Sequence, residues 1–222
     1  EALPVALRDE LNDAALSILS ALSKQNRPEA TVAIRGALEV TDYLVRRRAA
    51  ELLPTGGLSS RVVTVATRNR EADYRRAVAR AGKTVRAVVS TDKGAFTIEL
   101  LPDDAPLNVD NFVELARKGF FDGITFHRVV PNFVIQGGDP RGDGNGGPGY
   151  QIRCEINQVS YNRGAVGMAL SGKDTGGSQW FVTHSPQPHL DGGYTVFGRV
   201  TEGLEVVDRI ARGDRIRSIT IR

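Results

Sequence analysis

The residues of this 222-residue chain whose types and spacing could do chemistry fall in one run, Phe126-His127-Arg128-Val129-Val130-Pro131-Asn132-Phe133-Val134-Ile135-Gln136-Gly137-Gly138-Asp139. Alternation of Phe126, Arg128 and Val130 against His127 and Val129 predicts a strand, Pro131-Asn132 a turn, and Phe133 to Gln136 a second strand. Residues two apart on a strand share a face, so Arg128 can point into a pocket lined by Phe133 and Gln136. This is a fixed cation beside an apolar floor, with no nucleophile and no carboxylate pair. Twisting a proline amide is a chemistry that needs such a set. Resonance opposes that rotation by about 18–20 kcal/mol. Rotation pyramidalises the proline nitrogen and localises its lone pair, so a donor aimed there stabilises the twisted amide more than the planar one, the condition for catalysis. Arginine stays charged and presents a rigid fork of donors. One charged hydrogen bond is worth roughly 1.5–3 kcal/mol, or about one to two decades of rate.

Other chemistries find less support. His127 could pass for a general base, but amide rotation removes no proton from the substrate, and a structural histidine is the better reading. His184 and His189 flank Ser185, Pro186 and Pro188 on a broken backbone, with no cysteine or carboxylate pattern to complete a zinc site. Residues 137–149 hold seven glycines in thirteen positions, yet lack the Gly-Lys-Ser/Thr ending of a phosphate loop and read as a surface loop. Asp139, Asp143 and Asn145 hint at calcium, but no glutamate completes the pattern. Ser178, in Gly177-Ser178-Gln179, lacks the nucleophile-elbow motif. Cys154 is the chain's single cysteine, which excludes an internal disulfide and reads as a small wall residue. No metal and no cofactor is expected.

The elements that must position Arg128 lie after Thr84, where the apolar period becomes two. Val85–Val89 and Ala95–Leu100 flank Ser90-Thr91-Asp92-Lys93-Gly94, a hairpin signal. Asn108 offers a cap for a helix that buries Val109, Phe112, Val113 and Ala116 and closes at Gly119. Short strands fill most of the rest, and 203–211 reads as a second helix. Many short strands with two helices predict a mainly β fold, a closed antiparallel barrel capped by the helices.

The first 83 residues read as all-α. Leu7, Leu11, Ala14, Ile18 and Leu22 form a one-faced stripe, Pro28 suits a first helical turn, and Thr41-Asp42 can cap a third helix that Pro54-Thr55-Gly56-Gly57 stops. Residues 58–67 are open between strand and helix, and Glu71–Ala81 reads as a basic helix ended by Gly82. The run from Asp42 to Leu52 resembles the second half of a HEAT repeat. Such a segment is either the end of a longer solenoid or a set of helices packed on the barrel. The expected division is therefore 1–83 and 84–222.

Charge follows that division. Residues 1–83 carry 14 Lys and Arg against 10 Asp and Glu, and the other 139 carry 15 against 16, which together give the net +3. Ordinary solvated helix faces account for the excess, and without aromatic interleaving or a motif no nucleic acid is expected. No run nears the 18 or so apolar residues of a membrane helix. Glu1 opens no signal-peptide pattern, which leaves the compartment open between the cytoplasm and, for a processed chain, the space beyond the membrane.

The run 126–139, followed in order by Gly164-Ala165-Val166-Gly167-Met168-Ala169, Gly177-Ser178-Gln179-Trp180-Phe181 and Leu190-Asp191-Gly192-Gly193-Tyr194-Thr195-Val196-Phe197-Gly198, resembles the cyclophilins, the peptidyl-prolyl cis-trans isomerases that bind cyclosporin. The resemblance spans roughly Thr84 to Arg222. It implies eight strands in the barrel and isomerisation of X-Pro bonds in protein substrates, assisting their folding. Arg128 then polarises the proline amide and Gln136 holds a substrate carbonyl. Phe133, Phe181 and Leu190 match the family's proline pocket, Val134 stands where methionine is common, and Tyr194 replaces a frequent histidine. Backbone groups at Ala169, Leu170 and Ser171 would align the peptide ahead of the proline as an extended segment. Leu170 stands where asparagine is common and His189 where a tryptophan grips cyclosporin, so weak cyclosporin binding is implied. The rival reading is a module that holds proline peptides in the same groove without turnover, while the helices meet a protein partner.

Overall fold

The structure, a computed structural model, describes residues 2–7, 13–25, 27–40, 42–53 and 65–222. Contacts divide the chain into two compact units, Glu1–Ala66 and Thr67–Arg222. The stop at Pro54-Thr55-Gly56-Gly57 and most of the ambiguous run, 58–64, lie outside the described residues, as do Leu11 and Thr41.

The first unit holds helices α1 (Ala2–Ala6), α2 (Asp13–Ser23), α3 (Pro28–Gly36) and α4 (Tyr43–Leu52), with a 3-10 turn at Ala37–Glu39. Pro28 opens α3, and the Asp42 carboxylate caps α4 by accepting the Val45 N–H at 2.9 Å. An apolar cluster of Leu3, Ala15, Leu19, Ile34, Val45 and Ala49 holds them together. The stripe is turned from the expected one: Ala15 and Leu19 are the buried residues of α2, while Ala14 is exposed and Ile18 half-buried. Apolar residues in that helix cover more than one face, so packing rather than periodicity selects the buried one.

The second unit opens with α5 (Glu71–Arg80) and continues as β1 (Val85–Thr91), β2 (Gly94–Leu100), α6 (Pro106–Arg117), β3 (Arg128–Val130), β4 (Val134–Gly137), β5 (Ala165–Met168), β6 (Trp180–Thr183), β7 (Val196–Glu202), α7 (Leu204–Arg209) and β8 (Ile216–Ile221). The strands form one antiparallel sheet in the order β3-β4-β6-β5-β7-β2-β1-β8. The expected closed barrel is not found. The sheet curls into an open half-barrel whose terminal strands, β3 and β8, share no ladder; just ahead of β3, Gly123, Ile124 and Phe126 exchange backbone hydrogen bonds with Gly213, Asp214 and Ile216 about a bridge between Thr125 and Arg215. Closure needs a staggered ladder across the seam, and β3, three residues long, is too short to supply one.

The core of this unit is built around Trp180, which meets Phe112, Phe121 and Phe126 edge-on at centroid distances of 5.8, 6.5 and 6.0 Å. Helix α6 begins two residues before the expected cap. Asn108 is buried inside it, and the cap comes from elsewhere in the chain: Glu155 accepts the N–H groups of Leu107 (3.0 Å) and Asn108 (2.8 Å). Pro106 provides the preset φ of a first turn. Helix α5, which the expected division placed ahead of the boundary, packs on α6 through Arg76 and Arg80. Arg76 donates to Asp110 at 2.9 Å and to Asp73 at 2.5 Å, and Arg80 donates to Asp110 and, at 3.1 Å, to Glu114. Among the described residues no helix is long and apolar enough to cross a membrane.

Candidate active site

Arg128 and Gln136 stand opposite each other in the β3–β4 ladder. The turn between the strands carries Asn132 at φ 58°, a left-handed conformation that asparagine adopts more readily than most side chains. The Asn132 carbonyl accepts from Ser185 Oγ (2.6 Å) and Gln187 Nε2 (2.8 Å), which pins the turn to the segment beyond β6. Arg128 Nη1 donates to Gln136 Oε1 at 3.1 Å, and the guanidinium carbon lies 5.4 Å from the Phe133 ring centroid. Arg128 is exposed, and Gln136 is its hydrogen-bond partner among the described residues, so most of its donors face solvent.

A second amide stands behind the first. Gln136 Nε2 donates to Gln179 Oε1 at 3.0 Å. Gln179 Nε2 in turn donates to the carbonyls of Gly144 (2.9 Å) and Gly146 (2.8 Å) in the glycine-rich loop. This chain of bonds orients both carboxamides and leaves the Gln136 oxygen turned toward the arginine. Gln179 went unnoticed in the sequence as a site residue. The signal was there, because Gln179 precedes Phe181 by two and so shares its face.

The apolar side of the site is a cluster separate from the main core. Val134, Tyr161, Phe181 and Leu190 are buried in it, and Phe133, Ala169 and Tyr194 pack against it. Phe181, opposite Gln136 in the β4–β6 ladder, stacks on Tyr161 at 5.5 Å and meets Tyr194 edge-on at 6.1 Å. Nothing in its spacing marked Tyr161. Burial pushes its hydroxyl pKa up, so it stays neutral beneath the pocket. Gly167, opposite Phe181 in β5, has no room for a side chain, since a Cβ there would overlap the Phe181 ring and the Tyr161 hydroxyl. The 3-10 turn Pro188–Leu190 turns Leu190 inward and leaves His189 exposed. His189 stacks on Phe133 with centroids 5.6 Å apart and planes 24° apart.

Leu170 and Ser171 are not gathered into this cluster. Leu170 packs against the main core, and Ser171 is exposed. The Ala169 N–H donates to the Gln179 carbonyl (3.0 Å) and the Ser171 N–H to Thr175 Oγ1 (2.8 Å), so both donors are taken within the chain. Two titratable groups border the site. Among the described residues neither buried ring nitrogen of His127 has a hydrogen-bond partner, and burial holds its pKa below the ordinary 6.5. Burial would raise the Asp139 pKa, but the N–H groups of Arg141, Gly144 and Gly146 and the nearby His127 hold it below the usual carboxylate range. Among the described residues no group of three or more His, Cys, Asp or Glu is placed to hold a metal ion.

A curled antiparallel sheet thus sets an arginine–glutamine pair beside an aromatic cluster. The family described as cyclophilin type peptidyl-prolyl cis-trans isomerase/CLD matches residues 86–221, and the chain belongs to it. A peptidyl-prolyl cis-trans isomerase of Synechococcus elongatus is 51% identical over 138 residues, 61% of this chain and 95% of the relative. Peptidyl-prolyl cis-trans isomerase B of Bacillus subtilis is 52% identical over 132 residues, 59% of this chain and 92% of its own length. The crystal structure of a cyclophilin type peptidyl-prolyl cis-trans isomerase from Cryptosporidium parvum superposes with a TM-score of 0.60 at 31% identity, covering 63% of this chain and 98% of that one. The chain is a peptidyl-prolyl cis-trans isomerase, and its substrates are proline-containing peptides.

Proposed function

We propose that Arg128 carries the catalysis by donating to the proline nitrogen as the amide twists, with Gln136 holding a substrate carbonyl and the proline ring seated on Phe133, Val134, Phe181, Leu190 and Tyr194. The observation behind this reading is the Arg128–Gln136 bond of 3.1 Å across paired strands. It sets a cation with open donors at the rim of an apolar cluster that the main core does not use. Ala169, Leu170 and Ser171 contribute to the approach of the peptide. The Ala169 and Ser171 N–H groups are already donated within the chain, so they are not what this contribution draws on. The substrates are flexible or unfolded protein segments whose folding waits on X-Pro rotation, which takes tens to hundreds of seconds unaided. The test is the cis-trans exchange rate of an Ala-Pro-Phe peptide with wild type and with Arg128→Ala. The expected loss in kcat/KM is at least about tenfold, one charged hydrogen bond's worth. Equal rates would remove Arg128 from the mechanism, and saturable binding without acceleration would make the groove a peptide-holding module.

His189 stacked on Phe133, in place of an indole, leaves a small polar ring at the rim, and the proposal includes weak cyclosporin binding with isomerisation intact. Inhibition at nanomolar cyclosporin would overturn that part. The helices ahead of Ala66 are proposed as a HEAT-like segment that meets a protein partner. Support comes from the Asp42–Leu52 run and from four short helices closing on an apolar cluster of their own.

A further inference from the structure

The glycine-rich loop that receives the Gln179 amide is held at both ends, and the two holds come from different parts of the chain. Upstream, the buried Asp139 carboxylate accepts the N–H groups of Arg141 (2.8 Å), Asp143 (3.0 Å) and Gly144 (2.5 Å). Downstream the loop runs into Tyr150 and Gln151, which are gripped by residues ahead of the family-matched span. The Arg68 N–H donates to the Gln151 carbonyl at 2.8 Å, and Thr67 and Gln151 form a parallel bridge. The Arg68 guanidinium lies 4.3 Å from the Tyr150 ring centroid, and Asn69 Oδ1 accepts the Arg153 N–H at 3.4 Å. Tyr150 passes the hold inward: its hydroxyl donates to Asn111 Oδ1 at 2.7 Å, and Asn111 Nδ2 donates to the Gly177 carbonyl at 2.7 Å, two residues before Gln179.

Gly142, Gly144 and Gly149 all sit at positive φ, and glycine there resists displacement less than any other residue. The carbonyls of Gly144 and Gly146 are placed from upstream, where the N–H groups of both residues meet the Asp139 carboxylate, and from downstream through Tyr150, whose hydroxyl reaches Asn111 and so the Gly177 carbonyl two residues before Gln179. Among the described residues these two carbonyls are the acceptors of Gln179 Nε2, which orders the Gln179–Gln136–Arg128 series.

We propose that Thr67–Arg70 is a strap that positions the isomerase site, with Arg68 as a positioning residue acting through Tyr150, the glycine-rich loop and Gln179 on the Arg128–Gln136 pair. This rests on the reading of Arg128 and Gln136 given above. Arg68 meets no substrate, and its effect is to narrow the orientations available to the two carboxamides.

The experiment compares wild type, Arg68→Ala and Arg68→Lys in the full chain, with Arg128→Ala alongside. Three readouts are taken: kcat and KM for Ala-Pro-Phe isomerisation, the side-chain amide NMR signals of Gln136 and Gln179, and the melting temperature. Arg68→Ala is expected to lower kcat by about two- to fivefold, the worth of one exposed cation–π contact, with KM little changed. Both carboxamide signals should shift, and Arg68→Lys, which keeps a cation over the ring, should recover most of each effect. Unmoved carboxamide signals would overturn the strap, whether kcat holds or falls only in step with melting temperature. An Arg128→Ala chain as fast as wild type would remove the underlying reading instead, and the two failures are told apart by which variant keeps its rate.

Discussion

At the scale of single residues, the proposed site is a cation whose environment is set by two amides and a stack of rings. Arg128 is exposed, so its charge is maintained cheaply, and its direction is what the protein must supply. His127, its neighbour, carries the opposite liability, a half-buried polar ring with no partner for either nitrogen among the described residues. Burial holds the imidazole below its ordinary 6.5, so as the pH falls the unfolded chain takes up a proton before the folded one. The stability that depends on a neutral His127 is therefore complete above about pH 6.5 and drains away as the pH drops toward the folded value. Asp139 adds a loss in the same direction at more acid pH, where its depressed carboxyl is finally protonated. Urea unfolding of wild type and His127→Leu between pH 8 and pH 5 separates the two effects. Wild type should lose stability across that window and the variant should stay nearly flat, whereas parallel slopes would clear His127 of any part.

At the scale of elements, α5 is joined to α6 by arginines converging on a carboxylate whose side chain is only 3% exposed. The Arg80 side chain is itself 13% exposed, so the pair sits where breaking it leaves a buried charge rather than a hydrated one. Arg76→Ala/Arg80→Ala strands Asp110, at an expected cost of about 3–5 kcal/mol, or roughly 10 °C of melting temperature. Adding Asp110→Asn should restore part of that loss. No recovery would mean that the helices are held by their apolar contacts instead. This joint also shows where the sequence was legible and where it was not. The Arg128–Gln136 hairpin, the start of α3 and the Asp42 cap are local, and period and turn chemistry announce them. The cap of α6 by Glu155, the docking of α5 and the Gln179 relay all join residues more than thirty positions apart. No periodicity encodes such a pairing. Failure of the barrel to close belongs to the same class, because it turns on the brevity of β3 against a partner that arrives only at residue 216.

At the scale of the whole molecule, the family-matched span begins at residue 86, while the compact unit begins at Thr67. The difference holds the strap and α5, both bound to that unit by the contacts described above. A chain starting at Thr67 should keep kcat/KM within about twofold of the full chain. One starting at Thr84 should melt lower by about the margin of the Arg76/Arg80 variant. Calorimetry and the exchange assay on both chains decide the matter, and a Thr84 chain as stable as the Thr67 chain would make α5 an ornament.

The open half-barrel has a further consequence that concerns neighbouring molecules rather than substrates. The open seam leaves the outer edge of β3, and that of β8 beyond Ile216, whose N–H and carbonyl pair with Ile124 and Gly123, for another copy to pair with, the usual beginning of aggregation. Each edge is protected in its own way. β3 stops after three residues and carries Arg128. In β8 the pairing with β1 slips between Ser218 and Ile216, so Arg217 bulges from the strand and is tied to Asp92 at 2.5 Å. A bulge and a fixed charge together spoil the flat edge that strand exchange requires. An enzyme that acts on proline-containing peptides thus meets them without an adhesive margin.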